Sequence, residues 1–224
     1  SEMRDRFISE LLQRAKSDQK ILLITGDLGF GVFDKYREEL PDQFINAGVS
    51  EQNMTALACG LALEGFKVFT YSIGNFPTLR CLEQIRNDVC YHDANVTVVS
   101  IGGGFSYGQL GVSHFATEDL SIMRAIPNLT ILTPSGEQQV AEMVQGIDEI
   151  QGPKYIRLDK DSAPHIPSRT PFELGRVERL VEGSDGTLIC IGGILKEGLK
   201  AAEILELQGI KLRVLSVESL KPLS

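Results

Sequence analysis

The sequence predicts an α/β fold, in which an open parallel sheet is covered by helices on both faces and is followed by part of a second α/β domain. Short strands rich in Val, Ile and Leu alternate with helical stretches along the chain. These strands are apolar throughout, which is typical of parallel strands buried on both faces. A chain of 224 residues is also long enough to bury such a core without disulfides.

The chain opens as a helix followed by a buried strand. Apolar residues at Phe7, Leu11, Leu12 and Ala15 recur at helical spacing, and the run ILLI at 21–24 follows directly. The alternation then repeats, with further strands predicted at residues 67–71, 96–101, 129–132 and 155–158. The helices between them are predicted at residues 52–64, 79–90 and 137–150. This order predicts one parallel sheet.

A second segment follows a stretch punctuated by prolines. We interpret residues 162–171 as a linker, because three prolines interrupt it. The elements predicted beyond it are a strand, an amphipathic helix and a second strand, at residues 187–191, 196–208 and 211–218. One such unit is a poor core by itself, so we expect the second domain to be incomplete. The predicted division is a first domain over residues 1–165, and a linker with the start of a second domain over residues 166–224.

Composition excludes several classes of function. The formal net charge is −8 and no Lys/Arg-rich stretch occurs, so nucleic acid is not expected as a partner. No apolar run approaches the roughly 20 residues that cross a bilayer, so no membrane association is expected. The four cysteines form no CxxC pair and the three histidines do not cluster with them, so no metal site built by this chain is expected. The expected compartment is the cytoplasm.

Chemistry is expected in the loops after the strands, because ligands of open parallel sheets bind beyond the carboxyl ends of the strands. The loops with unusual residues lie at 26–29, 48–51, 72–76 and 102–114. They offer Asp27, Glu51, Phe76 and His114 as candidates. The residues alone leave alternatives open: Glu51 could merely complement a helix dipole, and Asp27 could bond its own backbone in a turn. Likewise, His114 could be an ordinary loop histidine and Phe76 a core residue.

The motifs taken together have a family resemblance. GVSEQNM at residues 48–54, followed by ACGLA at 58–62, resembles the cofactor-glutamate signature of the transketolase family of thiamine-diphosphate enzymes. Further matches, in the family's order, are RCLEQIRND at 80–88, GVSH at 111–114 before EDL at 118–120, and RAIPN at 124–128. The resemblance covers the family's pyrimidine-binding domain and the opening of its carboxyl-terminal domain.

The resemblance implies a role for each candidate. Glu51 would hydrogen-bond the aminopyrimidine of thiamine diphosphate and act in its activation, and Phe76 would stack on that ring. Asp27 would lie near the thiazolium side of the cofactor. His114 would contact substrate oxygens near the reacting carbon as a second catalytic residue. Lys160 matches a basic residue that binds substrate phosphate in the family.

A missing motif implies a partner. In this family a Gly-Asp-Gly motif with a downstream asparagine holds the diphosphate through Mg²⁺ (or Ca²⁺), and the sequence has no such motif; GDLG at 26–29 is not a substitute. The chain is therefore expected to be half of an enzyme. Its partner would be the transketolase amino-terminal, diphosphate-binding subunit, which would hold most of the metal site. A twofold-symmetric α2β2 assembly would then contain two active sites.

Departures from the family pattern leave the identity of the substrate open. Gly102 stands where many transketolases have a histidine, and Gln109 and Leu110 replace an acidic pair. Lys160 still allows a sugar phosphate, so the substrate is expected to be a sugar or a sugar phosphate, with donor and acceptor left open. The leading interpretation is a transferase that moves a two-carbon ketol unit from a ketose to an aldose. The alternatives are the β subunit of a 2-oxo-acid dehydrogenase and a non-catalytic assembly subunit of the same fold.

Overall fold

The computed structural model describes residues 2–163, 166 and 169–224. Within these residues seven strands form one sheet, in the order β10-β5-β6-β4-β3-β1-β2. Its strands are β1 (Ile21–Thr25), β2 (Phe44–Asn46), β3 (Lys67–Ile73), β4 (Val96–Ile101), β5 (Thr130–Leu132), β6 (Lys154–Leu158) and β10 (Ser219–Lys221). The first six run parallel, and β10 pairs antiparallel with β5.

Helices cover both faces of this sheet. The helices of the chain are α1 (Glu2–Ser17), α2 (Asp34–Glu39), α3 (Glu51–Leu63), α4 (Leu82–Gln84, continued by the π-helical Ile85–Cys90), α5 (Asp119–Ala125), α6 (Glu137–Gln145) and α7 (Leu195–Glu206). On one face, Phe7 of α1 and Val144 of α6 join a single apolar core with the strands. On the other face, a second core contains Met54 of α3, Ile85 of the π-helical end of α4, and Met123 of α5. The predicted α/β fold class is confirmed.

A smaller unit follows the sheet. Its strands are β7 (Val177–Val181), β8 (Gly186–Ile191) and β9 (Leu212–Val217), in the order β7-β9-β8. Strands β8 and β9 are parallel, and β7 is antiparallel to β9. Leu195 and Ala202 of α7 pack against Cys190 and Val214 to form a third core.

The chain then returns to the large sheet through β10, so the two units share a hydrogen-bonded strand. This pairing crosses the predicted division between residues 165 and 166, which remains a prediction. Of the predicted linker, Pro164, His165, Pro167 and Ser168 lie outside the described residues. Elsewhere in the linker, Arg169 binds Glu142 of α6 with both terminal nitrogens, at 2.9 and 2.7 Å.

The structure adds short elements that the pattern did not predict. Strands β2 (FIN) and β10 (SLK) have three residues each, too few for a period-2 pattern, and β7 (VERLV) carries two charges. The predicted helix at 79–90 is interrupted: it begins with a 3₁₀ turn at Leu79–Cys81 and ends as a π-helix. With β10 included, the large sheet is mostly parallel and has one antiparallel edge strand.

Candidate functional site

Glu51 is a buried carboxylate at the start of α3. It is 4% exposed, although a charged side chain is rarely buried without a partner. Space for it comes partly from Gly26, because a Cβ at that position would lie 3.5 Å from Cγ of Glu51. The backbone enters the helix through Gly48 at φ +76°, which favours glycine. An acidic side chain at this end also complements the helix dipole.

The partner of Glu51 is Arg80, which follows β3. Its Nη1 donates a hydrogen bond to Oε2 of Glu51 over 3.1 Å. Its Cζ also lies 4.4 Å from the centre of the Phe76 ring. The guanidinium thus joins the buried carboxylate to the aromatic ring. Arg80 lies within the RCLEQIRND motif, but no role was predicted for it. The signal that could have identified it is the need of a buried carboxylate for a cation.

Phe76 also contacts His114. The two rings meet edge to face, with centres 4.9 Å apart and planes at 68°. Oγ of Ser113 lies 3.0 Å from Nδ1 of His114, which fixes the orientation of the imidazole. Among the described residues Nε2 has no hydrogen-bond partner, so it is the ring nitrogen that can meet a ligand.

Gly74 allows the loop after β3 to approach the histidine loop. At Gly74, φ is +44° and a Cβ would lie 2.5 Å from the carbonyl oxygen of His114. Nδ2 of Asn75 also donates to the carbonyl of Ser113 over 3.2 Å. These two loops meet because Ile73 and Ile101 pair at the ends of β3 and β4.

Asp27 lies in a separate part of the same sheet edge. Its φ is +57°, and Asn46 holds both its backbone and its side chain. The Asp27 N–H donates to Oδ1 of Asn46 at 2.9 Å, and Nδ2 of Asn46 donates to the carboxylate Oδ1 of Asp27 at 3.0 Å. The register pairs Thr25 with Asn46, which explains their proximity. Asp27 also lines a cavity of about 240 Å³ beside Phe33. Asn46 was not anticipated, because β2 was not predicted.

Lys160 is connected to His114 through Tyr107. Its Nζ lies 3.9 Å from the centre of the Tyr107 ring, and that ring centre is 6.3 Å from the ring centre of His114. The pairing of Ile101 with Leu158 brings the loops after β4 and β6 together. Tyr107 lies in the glycine-rich loop and was not predicted as a site residue.

The predicted residues therefore fall into three places. Glu51, Phe76 and His114 form one chain of contacts through Arg80, Lys160 joins its end through Tyr107, and Asp27 stands apart. Over the described ranges, no group of three or more His, Cys, Asp or Glu side chains could hold a metal ion. A search of the same ranges finds no helix with the length and apolar character that spanning a membrane requires.

Comparisons with known proteins give similarity over almost the whole chain. The family model of the transketolase pyrimidine-binding domain matches residues 2–165, and that of the transketolase C-terminal domain matches residues 175–224. One of the subunits of an apulose-4-phosphate transketolase from Phocaeicola vulgatus is 32% identical, over 98% of this chain and 71% of that protein. A 6-deoxy-6-sulfo-D-fructose transketolase subunit from Clostridium sp. is 36% identical, over 98% of this chain and 69% of that protein. A solved split-gene transketolase, described as an inactive β4 tetramer, is 34% identical with a TM-score of 0.87, over 98% of this chain and 72% of that one.

Proposed function

This chain belongs to the transketolase family, and on that premise we propose that it is the pyrimidine-binding subunit of a thiamine-diphosphate-dependent transketolase. The family resemblance carried by GVSEQNM is confirmed by these matches. The proposed reaction is the transfer of a two-carbon ketol unit from a ketose to an aldose. The names of the relatives favour this reaction over decarboxylation of a 2-oxo acid.

The observation that carries the proposal is that one planar group, the Arg80 guanidinium, contacts both the buried carboxylate of Glu51 and the ring of Phe76. The Arg80 guanidinium is planar, donates to Glu51 and lies on the face of Phe76. An aminopyrimidine is also planar, has nitrogens that hydrogen-bond a carboxyl group and stacks on aromatic rings. The residues present therefore fit the pyrimidine end of the cofactor.

Thiamine diphosphate supplies, when bound, a carbon nucleophile that protein side chains lack. Glu51 would hold a proton at its carboxyl group in a hydrogen bond to the heterocycle, in a place where burial keeps water from competing. Phe76 would orient the ring by stacking. His114 would present Nε2 to a substrate oxygen, because Nδ1 is engaged by Ser113. Asp27 would lie near the thiazolium side of the cofactor.

Exposed apolar residues on loops around the site support a partner surface. Phe30 is 83% exposed after β1, Val49 is 71% exposed before α3, and Val112 is 80% exposed beside His114. Apolar side chains gathered on one face are typical of an interface. We propose that the diphosphate-binding subunit covers this face and holds Mg²⁺ (or Ca²⁺), in a cytoplasmic α2β2 assembly with no role for nucleic acid or membrane. The names of two relatives as transketolase subunits support a partner.

The substrate is proposed to be a sugar with a terminal anion. The two named relatives act on a sugar phosphate and on a sulfonated sugar. Lys160 supplies an exposed ammonium next to the His114 region through Tyr107. A cation at that distance from the reacting end is suited to a phosphate or sulfonate.

The test is purification from the native cell with any bound subunit, followed by assay with thiamine diphosphate and Mg²⁺. A ketol-transfer product from a ketose and an aldose is the expected result. Decarboxylation of a 2-oxo acid with an artificial electron acceptor, and no ketol transfer, would establish the dehydrogenase alternative. Undiminished turnover of a complex carrying Glu51→Ala would establish a non-catalytic subunit.

A further inference from the structure

A charged network lies beneath the loop that carries His114. Tyr155 and Arg157 alternate along β6 and Asp159 follows two residues later, so the three side chains share one face of the sheet. The side chain of Arg157 is 14% exposed, and its Nε lies 3.4 Å from Oδ2 of Asp119 and 3.7 Å from Oδ1 of Asp159. The hydroxyl of Tyr155 donates to the same Asp119 oxygen over 2.5 Å. One guanidinium thus serves two largely buried carboxylates, and none of these groups has a role in the proposed reaction.

Arg157 also holds the loop itself. Its Nη2 donates to the carbonyl of Ala116 over 2.7 Å, two residues after His114. Gly104 and Ala116 exchange two backbone hydrogen bonds, of 2.7 and 3.0 Å, which close the loop at its base. The carbonyl of Ala116 therefore accepts from both the backbone of Gly104 and the guanidinium. The cation lies at the point where the two arms of the loop meet.

The start of the loop packs on the same guanidinium. A Cβ built at Gly103 would lie 2.5 Å from Cζ of Arg157 and would overlap Oδ1 of Asp159. Only glycine lets the backbone approach the cation this closely. Asp119 begins α5, five residues after His114, so Arg157 contacts the chain on both sides of the histidine. Because separating a buried charge from its partners is costly, the cation is a fixed support for the loop.

Resting on the proposed function, we propose that Arg157 is a positioning residue that orients His114 toward the substrate. The planar guanidinium offers Nε to the two carboxylates and Nη2 to the Ala116 carbonyl, a geometry that the point charge of a lysine does not reproduce. Asp119 and Asp159 neutralise its charge, so it supports the loop and is not an anion site. Arg157 acts through the loop and touches neither the substrate nor a reacting atom.

The first experiment observes His114 directly in the full chain. The sequence has three histidines, so a sample isotope-labelled at histidine gives three imidazole groups in an NMR spectrum, assigned by replacing each histidine in turn. Arg157→Lys should shift the His114 signals, because the loop loses the Nη2 contact. His92, whose Nδ1 lies 2.7 Å from the carbonyl of Asp88, is the internal control and should not shift. An unchanged His114 signal overturns the proposal.

Glycine variants approach the same contact from the loop and do not depend on the folding of the arginine variant. Gly103→Ala should shift the His114 signals, because its methyl group overlaps the guanidinium. Gly108→Ala in the same loop is the matched control, since nothing lies within 4 Å of a Cβ there and neither glycine has a positive φ. Signals that respond equally to the two glycine variants also overturn the proposal.

Turnover of the purified complex shows whether this orientation matters for the reaction. The kcat/KM for the ketose should fall roughly 10- to 100-fold in Arg157→Lys, because a small displacement of a catalytic group costs this much. Arg169→Lys is the control and should retain activity, since Arg169 is also a buried arginine paired with a carboxylate. In a complex carrying His114→Gln, adding Arg157→Lys should reduce kcat/KM no further, because the arginine acts through the histidine.

A loss that persists in the His114→Gln complex, or an equal loss in Arg169→Lys, overturns the role of Arg157. A wild-type complex without ketol transfer overturns the proposed function itself, and the NMR signals then still decide whether Arg157 holds His114.

Discussion

Arg80 donates a hydrogen bond from Nη1 to Oε2 of Glu51 over 3.1 Å while its Cζ lies 4.4 Å from the centre of the Phe76 ring. This contact links the loop after β3 to the first residue of α3. It gives the buried carboxylate a charged partner, and it brings two of the predicted cofactor residues into contact with one guanidinium.

Replacing Glu51 by Gln should abolish ketol transfer while leaving the fold intact. The amide has nearly the same shape but cannot exchange a proton, and a positioned acid or base contributes about 10²–10⁴-fold to rate. The measurement is kcat of the purified complex with saturating thiamine diphosphate. Glu137→Gln is the matched control, because Glu137 also begins a helix, α6, and is exposed. Activity of Glu51→Gln equal to that of the control would contradict the assignment of Glu51.

The Arg80–Glu51 pair should show measurable coupling in a double-mutant cycle. Arg80→Ala alone should cost no more than about 1 kcal/mol of unfolding free energy, because its side chain is 43% exposed and screened by water. With Glu51→Gln present, the cost should fall by about 0.5–1 kcal/mol. Urea unfolding of the four proteins gives this value. The surface pair Arg37–Asp34 serves as the reference cycle and should give coupling near zero; equal coupling in both cycles would rule out a special role for the buried pair.

Gly74→Ala should destabilise the protein more than Gly31→Ala. Both glycines have positive φ, so each substitution should cost about 1 kcal/mol in backbone strain. A Cβ at Gly74 also meets the carbonyl oxygen of His114 at 2.5 Å, whereas nothing lies within 4 Å of one at Gly31. The clash should add about 1–3 kcal/mol and displace His114. Thermal unfolding and kcat together test this, and equal losses of stability would show that the two loops do not depend on close approach.

Glu218 should make stability fall as pH rises from about 4.5 to 7. Burial raises the pKa of Glu218 to about 7, and the residue is 4% exposed between β9 and β10. Between those values the folded state binds more protons than the unfolded state, so unfolding becomes easier with increasing pH. The resulting loss of unfolding free energy reaches up to about 3 kcal/mol above pH 7.

Glu218→Gln should remove that part of the pH dependence and leave the protein more stable than wild type at pH 8. Its amide oxygen can still accept the hydrogen bond that Nε2 of Gln139 donates to Glu218. Urea midpoints at pH 5 and pH 8 provide the measurement, with the exposed Glu206→Gln as control. A wild-type-like slope in Glu218→Gln would mean that other groups cause the dependence.

Much of the large sheet follows from local pattern. The run at 21–24 lies within β1, and the predicted strand at 96–101 coincides with β4, because strands buried on both faces must be apolar along their whole length. Glu51, Phe76 and His114 were named from motifs, and the family assignment built on those motifs is confirmed. Their roles remain proposals.

Tertiary structure alone decided which side chains meet. Three contacts join segments that are distant in the sequence: Arg80 with Glu51, Asn46 with Asp27, and Tyr107 with Gly102. The proximity of these segments depends on strand order and register, and a local sequence pattern predicts neither. The same holds for β10, a three-residue strand that has no period of its own and forms because β5 offers an unpaired edge. The apolar period of a segment shows which of its faces is buried, but not which residues it packs against. The sequence by itself therefore determined the layers, and its motifs determined the candidate site residues. A specific contact requires two distant segments to be placed to within an ångström, and only the assembled sheet does that.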